Sequence, residues 1–141
     1  MGWIHDVAFS PSGCRLAWVA HDSTVTVVDK ADQSSTEPIV CRSSCLPFVT
    51  LQWTTESNII AAGHDCTPVL FSFENKALKM VSKLDVPPRT RMLKSIEDLH
   101  QNAISQIQSH TGKTENVTKF STCGIDGLVA LWDLQNRTAG R

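Results

Sequence analysis

Three aspartates, Asp22, Asp65 and Asp126, each lie in a short turn between two apolar segments of this 141-residue chain. They are separated by 43 and 61 residues, and the residues around them match in register. Six and seven positions after the aspartates stand Val28-Asp29, Phe71-Ser72 and Trp132-Asp133. Phe9 and Trp53 precede the first two aspartates by 13 and 12 positions. Agreement at several places indicates an internal repeat, which restricts the chain to a repeating architecture.

Each repeat consists of short β-rich segments separated by turn residues. The first contains IHDVAF, RLAWVA, TVTVVD and IVC; the second PFVTLQW, IIAAG, VLFSF and ALKMVSKL; the third AISQIQS, VTKFSTCG and LVALWDL. The turn Ser10–Gly13 holds a proline and a glycine, which favour a hairpin connection. We therefore expect one small antiparallel meander per repeat, with a fourth strand missing from the last.

Composition excludes several classes of protein. The chain is 41% hydrophobic and 19% charged, which suits a packed core and not a disordered segment. Its net charge of −1 gives no general basis for binding nucleic acid or an acidic membrane. No apolar run approaches the ~18 residues of a membrane span, and the N-terminal sequence lacks a signal-peptide pattern. Five cysteines without a CxxC motif indicate reduced thiols in a cytosolic protein.

The dipeptide His-Asp occurs twice, at His21-Asp22 and at His64-Asp65. A metal-dependent hydrolase could use such pairs, but it would need further ligands at suitable spacing. A Cys-His nucleophilic site would need Cys66 beside an imidazole base. We expect neither, and we expect each aspartate to accept hydrogen bonds within its turn. The sequence also lacks a phosphate-binding glycine motif, so no catalytic residue, metal or cofactor is predicted.

The period indicates the architecture, because four strands per 40 to 45 residues ending in Trp-Asp are typical of WD repeats. GIDGLVALWDL resembles the end of such a repeat. In WD repeats a histidine, a Ser or Thr, an aspartate and a tryptophan form a hydrogen-bonded tetrad. The resemblance assigns these places to His100, Thr122, Asp126 and Trp132. The first two repeats keep only Asp22 and Asp65, with Val28 and Phe71 in the tryptophan position.

The likeness is closer to one family. GWIHDVAFSPSGCRLAWVAHDSTV, AAGHDCTPVLF, KLDVP, LHQNAISQI and CGIDGLVALWD together resemble subunit 1, the WD-repeat subunit of the actin-related protein 2/3 complex. The resemblance implies an all-β fold of about three blades from a seven-bladed WD-repeat β-propeller, which is incomplete by itself. We also expect Trp3 and Trp18 to lie in the core, because aromatics in divergent blades are more often buried than exposed.

We divide the chain into divergent blades at 1–45 and 46–84, an inter-blade insert at 85–99, a last blade lacking its outer strand at 100–134, and a tail at 135–141. In the family the insert is longer and touches actin and nucleation-promoting factors. Here it is shorter, and its candidate partner-binding residues are Arg89, Arg91, Met92, Leu93 and Lys94. A solvated loop without a partner is the alternative interpretation.

The resemblance implies a non-catalytic scaffold that supports the nucleation of branched actin filaments. The expected partners are the other subunits, the actin filament and nucleation-promoting factors, and not nucleic acid, a membrane or a small-molecule substrate. The expected location is the cytoplasm, in the cytoskeleton of the actin-rich cortex, with the nucleus as a further site. The alternative is a WD-repeat adaptor of another complex, in signalling or ubiquitin transfer. We expect the sequence to be a fragment, a splice form or a truncated gene model. We expect the isolated chain to aggregate, oligomerise or stay partly unfolded.

Overall fold

The computed structural model describes residues 2–31, 36–84, 100, 102–110 and 116–134. Within these ranges the predicted all-β fold is confirmed, because the regular elements form eleven strands. The strands are β1 Ile4–Phe9, β2 Arg15–Ala20, β3 Thr24–Asp29, β4 Ile39–Arg42, β5 Phe48–Trp53, β6 Asn58–Gly63, β7 Val69–Glu74, β8 Ala77–Lys83, β9 Ile104–Ser109, β10 Lys119–Gly124 and β11 Val129–Asp133. The predicted insert with Arg89, Arg91, Met92, Leu93 and Lys94, and the tail 135–141, lie outside the described residues.

The strands form three antiparallel sheets, each made of consecutive strands. We call them blade 1 (β1 to β4), blade 2 (β5 to β8) and blade 3 (β9 to β11). Strand β1 contacts β5, and β5 contacts β9, so the first strands of neighbouring blades lie side by side. Blade 2 therefore lies between the other two, and the row of sheets is not closed into a ring.

The pairing register repeats from blade to blade, as the sequence alignment requires. Leu16 pairs with Val28, Ile59 with Phe71, and Phe120 with Trp132. The first strand of every blade also contains a β-bulge directly after its first residue, at His5, Val49 and Ser105. Successive side chains along a strand point to opposite faces of the sheet. Because the register is the same in the three blades, equivalent residues lie on equivalent faces.

Two apolar cores lie between the blades. Between blades 1 and 2, Ala17, Val19, Val25 and Val27 pack with side chains of blade 2 that include Trp53 and Phe71. Between blades 2 and 3, the core consists of Ile60, Ala62, Leu84, Ile104, Ile107, Val117, Phe120, Ala130 and Trp132. Each sheet is thus stabilised chiefly by the face that it buries against its neighbour.

The outward faces of the two end blades carry exposed apolar side chains. Phe9 on blade 1 is 67% exposed, and Leu131 on blade 3 is 64% exposed. The prediction that Trp3 lies in the core is wrong, because its side chain is 80% exposed, whereas Trp18 on β2 is half-buried. These aromatic and aliphatic groups stay exposed because no further blade covers them among the described residues.

Candidate functional site

The turn that contains each aspartate has the same backbone geometry in all three blades. The residue after the aspartate has positive φ, at 64° for Ser23, 58° for Cys66 and 78° for Gly127. The backbone N–H of the residue before the aspartate donates a hydrogen bond to the carbonyl oxygen of the residue that precedes the first strand of the same blade. These bonds join His21 to Trp3 at 2.8 Å, His64 to Pro47 at 3.1 Å, and Ile125 to Ala103 at 3.2 Å. The turn therefore anchors the start of each blade.

The aspartates themselves accept different bonds. Asp126 Oδ1 accepts the amide of Leu128 at 3.0 Å, as a turn carboxylate typically does. Asp22 Oδ1 accepts the Thr24 hydroxyl at 2.6 Å, and this bond lowers the pKa of Asp22 below its usual value. Asp65 Oδ2 forms an ion pair with Lys83 Nζ at 3.0 Å. The shared element is the position of the carboxylate in the turn, and its partner varies.

The structure brings the four predicted tetrad residues of blade 3 together. His100 Nδ1 lies 3.1 Å from Asp126 Oδ2, and His100 Nε2 lies 2.7 Å from Thr122 Oγ1. The indole N–H of Trp132 donates to the same Thr122 oxygen at 2.9 Å. Because a carboxylate only accepts, Nδ1 carries a proton, so in the neutral ring Nε2 accepts from the Thr122 hydroxyl. Each member thereby finds a partner in a buried chain of bonds.

This chain of bonds does not resemble a nucleophilic site. Thr122 is 1% exposed and His100 0%, so the hydroxyl has no access to a substrate. A side chain at Gly124 would meet Ala103 O at 2.7 Å and Asp126 Oδ1 at 3.0 Å, which shows how closely the backbone encloses the group. Buried polar networks of this kind fix a single packing arrangement when every member is satisfied.

The two His-Asp pairs lie at neighbouring blade ends, where they form no catalytic constellation. His21 and His64 have ring centroids 6.2 Å apart, and His5 adds a third ring beside His21. Cys66 Sγ lies 3.9 Å from the carbonyl oxygen of His64, a contact with backbone and not with the imidazole. Across the part of the chain that the structure describes, no set of three or more His, Cys, Asp or Glu is arranged to hold a metal ion.

A polar contact between blades 1 and 2 was not predicted from the sequence. Glu56, in the turn between β5 and β6, accepts the Ser10 hydroxyl at 2.7 Å. It also accepts the amide and the hydroxyl of Ser12, at 3.0 and 2.6 Å. The Arg15 guanidinium donates to the Glu56 carbonyl oxygen at 2.6 Å and to Asp29 at 3.0 Å. We call Glu56 with Ser10, Ser12 and Arg15 the blade latch.

The blade latch shifts the ionisation of its carboxylate. Burial by itself would raise the pKa of Glu56, but the hydrogen bonds from Ser12 and Ser10, aided by the nearby charge of Arg15, outweigh it and lower the pKa. No short motif marks these residues, since Glu56 and Ser12 lie 44 positions apart and belong to ordinary turns. Only the packing of two blades brings them together.

Comparison with known proteins agrees with the resemblance seen in the sequence. The chain is 37% identical over 156 residues to actin-related protein 2/3 complex subunit 1A-A of Xenopus laevis, covering 95% of this chain and 42% of the relative. It is 32% identical over 158 residues to subunit 1B-A of the same organism, covering 96% and 42%. Subunit 1 of Schizosaccharomyces pombe is 30% identical over 172 residues, covering 94% and 46%. No protein-family model matches the chain.

The predicted resemblance to the C-terminal portion of subunit 1 is thus confirmed. The chain spans less than half the length of these relatives. The matched regions run to 156 and 172 residues, longer than the 141 of the chain, so the relatives contain residues there that this chain lacks.

Across the described ranges there is no helix long and apolar enough to cross a membrane.

Proposed function

We propose that this chain acts as a non-catalytic scaffold subunit of an actin-related protein 2/3 complex and supports the nucleation of branched actin filaments. The observation that carries the proposal is the 36–37% identity to subunit 1A proteins across 95% of the chain. The relatives are named as subunits of that complex, and the described blades offer rigid sheet ends as docking surfaces. The role is therefore to hold partners in place, with the cytoplasmic cytoskeleton of the cell cortex as its location and the nucleus as a further one.

Within this proposal, the tetrad of His100, Thr122, Asp126 and Trp132 is structural. Its support is burial, because groups with 0% and 1% exposure at His100 and Thr122 cannot meet a partner. The tetrad joins His100, which precedes β9, to β10, the β10–β11 turn and β11, which keeps the end of blade 3 in one arrangement. The aspartates Asp22 and Asp65 do the same for the turns of blades 1 and 2.

The insert at 85–99 is the proposed contact with the actin filament and nucleation-promoting factors. Its sequence contains the positively charged residues Arg89, Arg91 and Lys94 and the apolar residues Met92 and Leu93. Complementary charge favours the encounter with acidic actin surfaces or acidic activator segments. The longer matched regions of the relatives fit an insert that is shorter in this chain.

Affinity purification of the tagged chain from its own cells tests the scaffold proposal. We expect the actin-related subunits to co-purify with it in comparable amounts. Recovery of a signalling or ubiquitin-transfer assembly without those subunits would instead favour the WD-repeat adaptor. For the insert, Arg89→Glu with Arg91→Glu should weaken co-sedimentation of the complex with filaments, whereas Lys79→Glu on exposed β8 should not.

A further inference from the structure

The imidazoles of His5 and His21 face each other through their ring nitrogens. His5 Nε2 lies 2.9 Å from His21 Nδ1, and both side chains are exposed. His64 lies beside them with its ring edge-on to His21, at 87° between the ring planes. The first two rings therefore share an N–H···N hydrogen bond, in which one nitrogen holds the proton and the other offers a lone pair, whereas the contact of the third ring is edge-to-face.

The fold does not require imidazoles at these two positions. His5 occupies the β-bulge of the first strand, where blade 2 has Val49 and blade 3 has Ser105. His21 occupies the turn position that is His64 in blade 2 and Ile125 in blade 3. Only blade 1 has histidine at both places. Bulges commonly re-aim a side chain, and this one directs His5 at the turn of its own blade.

The distance between the two nitrogens is that of a hydrogen bond, and it also limits the geometry in which one ion could bridge them. With metal–imidazole bonds of about 2.0–2.1 Å, two ligands at a right angle place their nitrogens about 2.9 Å apart, and tetrahedral ligands place them about 3.4 Å apart. The observed 2.9 Å matches the right angle. Right-angled ligand pairs belong to the tetragonal sites that Cu²⁺ and Ni²⁺ prefer, and not to structural zinc sites.

We propose that His5 and His21 form a two-ligand site for a divalent transition-metal ion of tetragonal preference, with water in the remaining coordination positions. For an ion to bind, the ring that donates the hydrogen bond moves its proton from the facing nitrogen to the nitrogen that faces away, so that both neutral imidazoles offer a lone pair to the ion. A structural or catalytic metal site would need three or more protein ligands. Among the described residues no such group of His, Cys, Asp or Glu occurs, so the site offers two protein ligands. The bound ion would join the start of β1 to the β2–β3 turn.

Titration of the purified chain with NiCl₂ by isothermal calorimetry tests this site, because Ni²⁺ does not oxidise the free thiols. We expect one ion per chain, and His5→Gln or His21→Gln should weaken its binding about tenfold or more, since each removes one of two ligands. His64→Gln is the matched control from the same rim, and His110→Gln is the control for an exposed histidine elsewhere. Both should bind within about twofold of the unmodified chain.

Two results would overturn the proposal. Equal binding by the unmodified chain and the His5→Gln and His21→Gln variants would show that the pair holds no ion. A loss in His64→Gln as large as in His5→Gln would show a three-histidine site of a different geometry. Far-UV circular dichroism checks that each variant keeps its sheets. The proposed scaffold function does not depend on the outcome.

Discussion

The indole N–H of Trp53 in blade 2 donates a hydrogen bond to the carbonyl oxygen of Ala8 in blade 1, at 3.0 Å. Trp53 is 1% exposed, whereas Phe9, which holds the equivalent position on blade 1, is 67% exposed. Two aromatics at one repeat position thus differ in burial because, among the residues that the structure describes, a neighbouring blade packs against Trp53 and none packs against Phe9. The repeat sets where each aromatic lies on its strand, and packing by the neighbouring blade sets how much that aromatic contributes to the free energy of unfolding.

This contrast predicts unequal costs for the same change. Trp53→Ala should lower the free energy of unfolding by about 3–5 kcal/mol, as expected for removing a buried aromatic. Phe9→Ala should change it by no more than about 0.5 kcal/mol, since the site is exposed. Urea unfolding followed by circular dichroism measures both. Similar losses for the two variants would show that the outward face of blade 1 is covered in solution.

The blade latch predicts a cost for removing one charge. Glu56→Gln should destabilise the chain by about 1–2 kcal/mol, because charge-assisted bonds to Ser10 and Ser12 weaken or lose an acceptor. Glu74→Gln, on an exposed side chain at the end of β7, is the matched control and should be near neutral. Equal unfolding midpoints in urea for the two variants would refute a stabilising latch.

The same carboxylate predicts a pH dependence. The pKa of Glu56 is lower in the folded chain than its ordinary 4.5, so the unfolded chain binds more protons in that range. The stabilisation is therefore present above pH 4.5 and is lost as the pH falls through the lower, folded pKa. Unfolding between pH 3 and 6 should show the stability difference between the native chain and Glu56→Gln shrinking on acidification. A difference that stays constant or grows toward pH 3 would contradict this sign.

The tetrad predicts a strong effect of an isosteric change. Thr122→Val keeps the shape but leaves the Trp132 indole N–H without its acceptor and His100 Nε2 without its partner. We expect a loss of about 2–4 kcal/mol, from two buried polar groups left unsatisfied. Thr118→Val, on a half-buried residue of the same blade, should cost much less. Thermal unfolding of both variants, with tryptophan fluorescence as the probe, decides whether the tetrad stabilises blade 3.

The sequence predicted the strands well because their limits depend on local chemistry. Turn residues such as Ser10–Gly13 separate short β-branched segments, and a sheet of consecutive strands needs no distant pairing. The tetrad residues were predicted by aligning blade 3 with the WD-repeat pattern. No tetrad was predicted for blades 1 and 2, where Val28 and Phe71 stand in the position of Trp132. These parts of the structure follow from positions that lie close together along the chain.

Other features depend on which blades lie next to each other, and the sequence pattern does not contain that information. The exposure of Trp3 was predicted wrongly because an aromatic is buried only when another sheet packs against it. Glu56 and Ser12 meet across an interface and carry no local motif. The pairing of His5 with His21 depends on a bulge, whose place becomes visible only in the strand register.

We propose above that this chain is a scaffold within an actin-related protein 2/3 complex. The most direct test is to purify that complex from the source cells with an antibody against an unmodified actin-related subunit. Mass spectrometry then quantifies the peptides of this chain in the purified complex. We predict peptides from blades 1, 2 and 3 at about one copy per complex, retained through size-exclusion chromatography. An intact complex that contains no peptide of this chain, while the chain is abundant elsewhere in the lysate, would contradict the account.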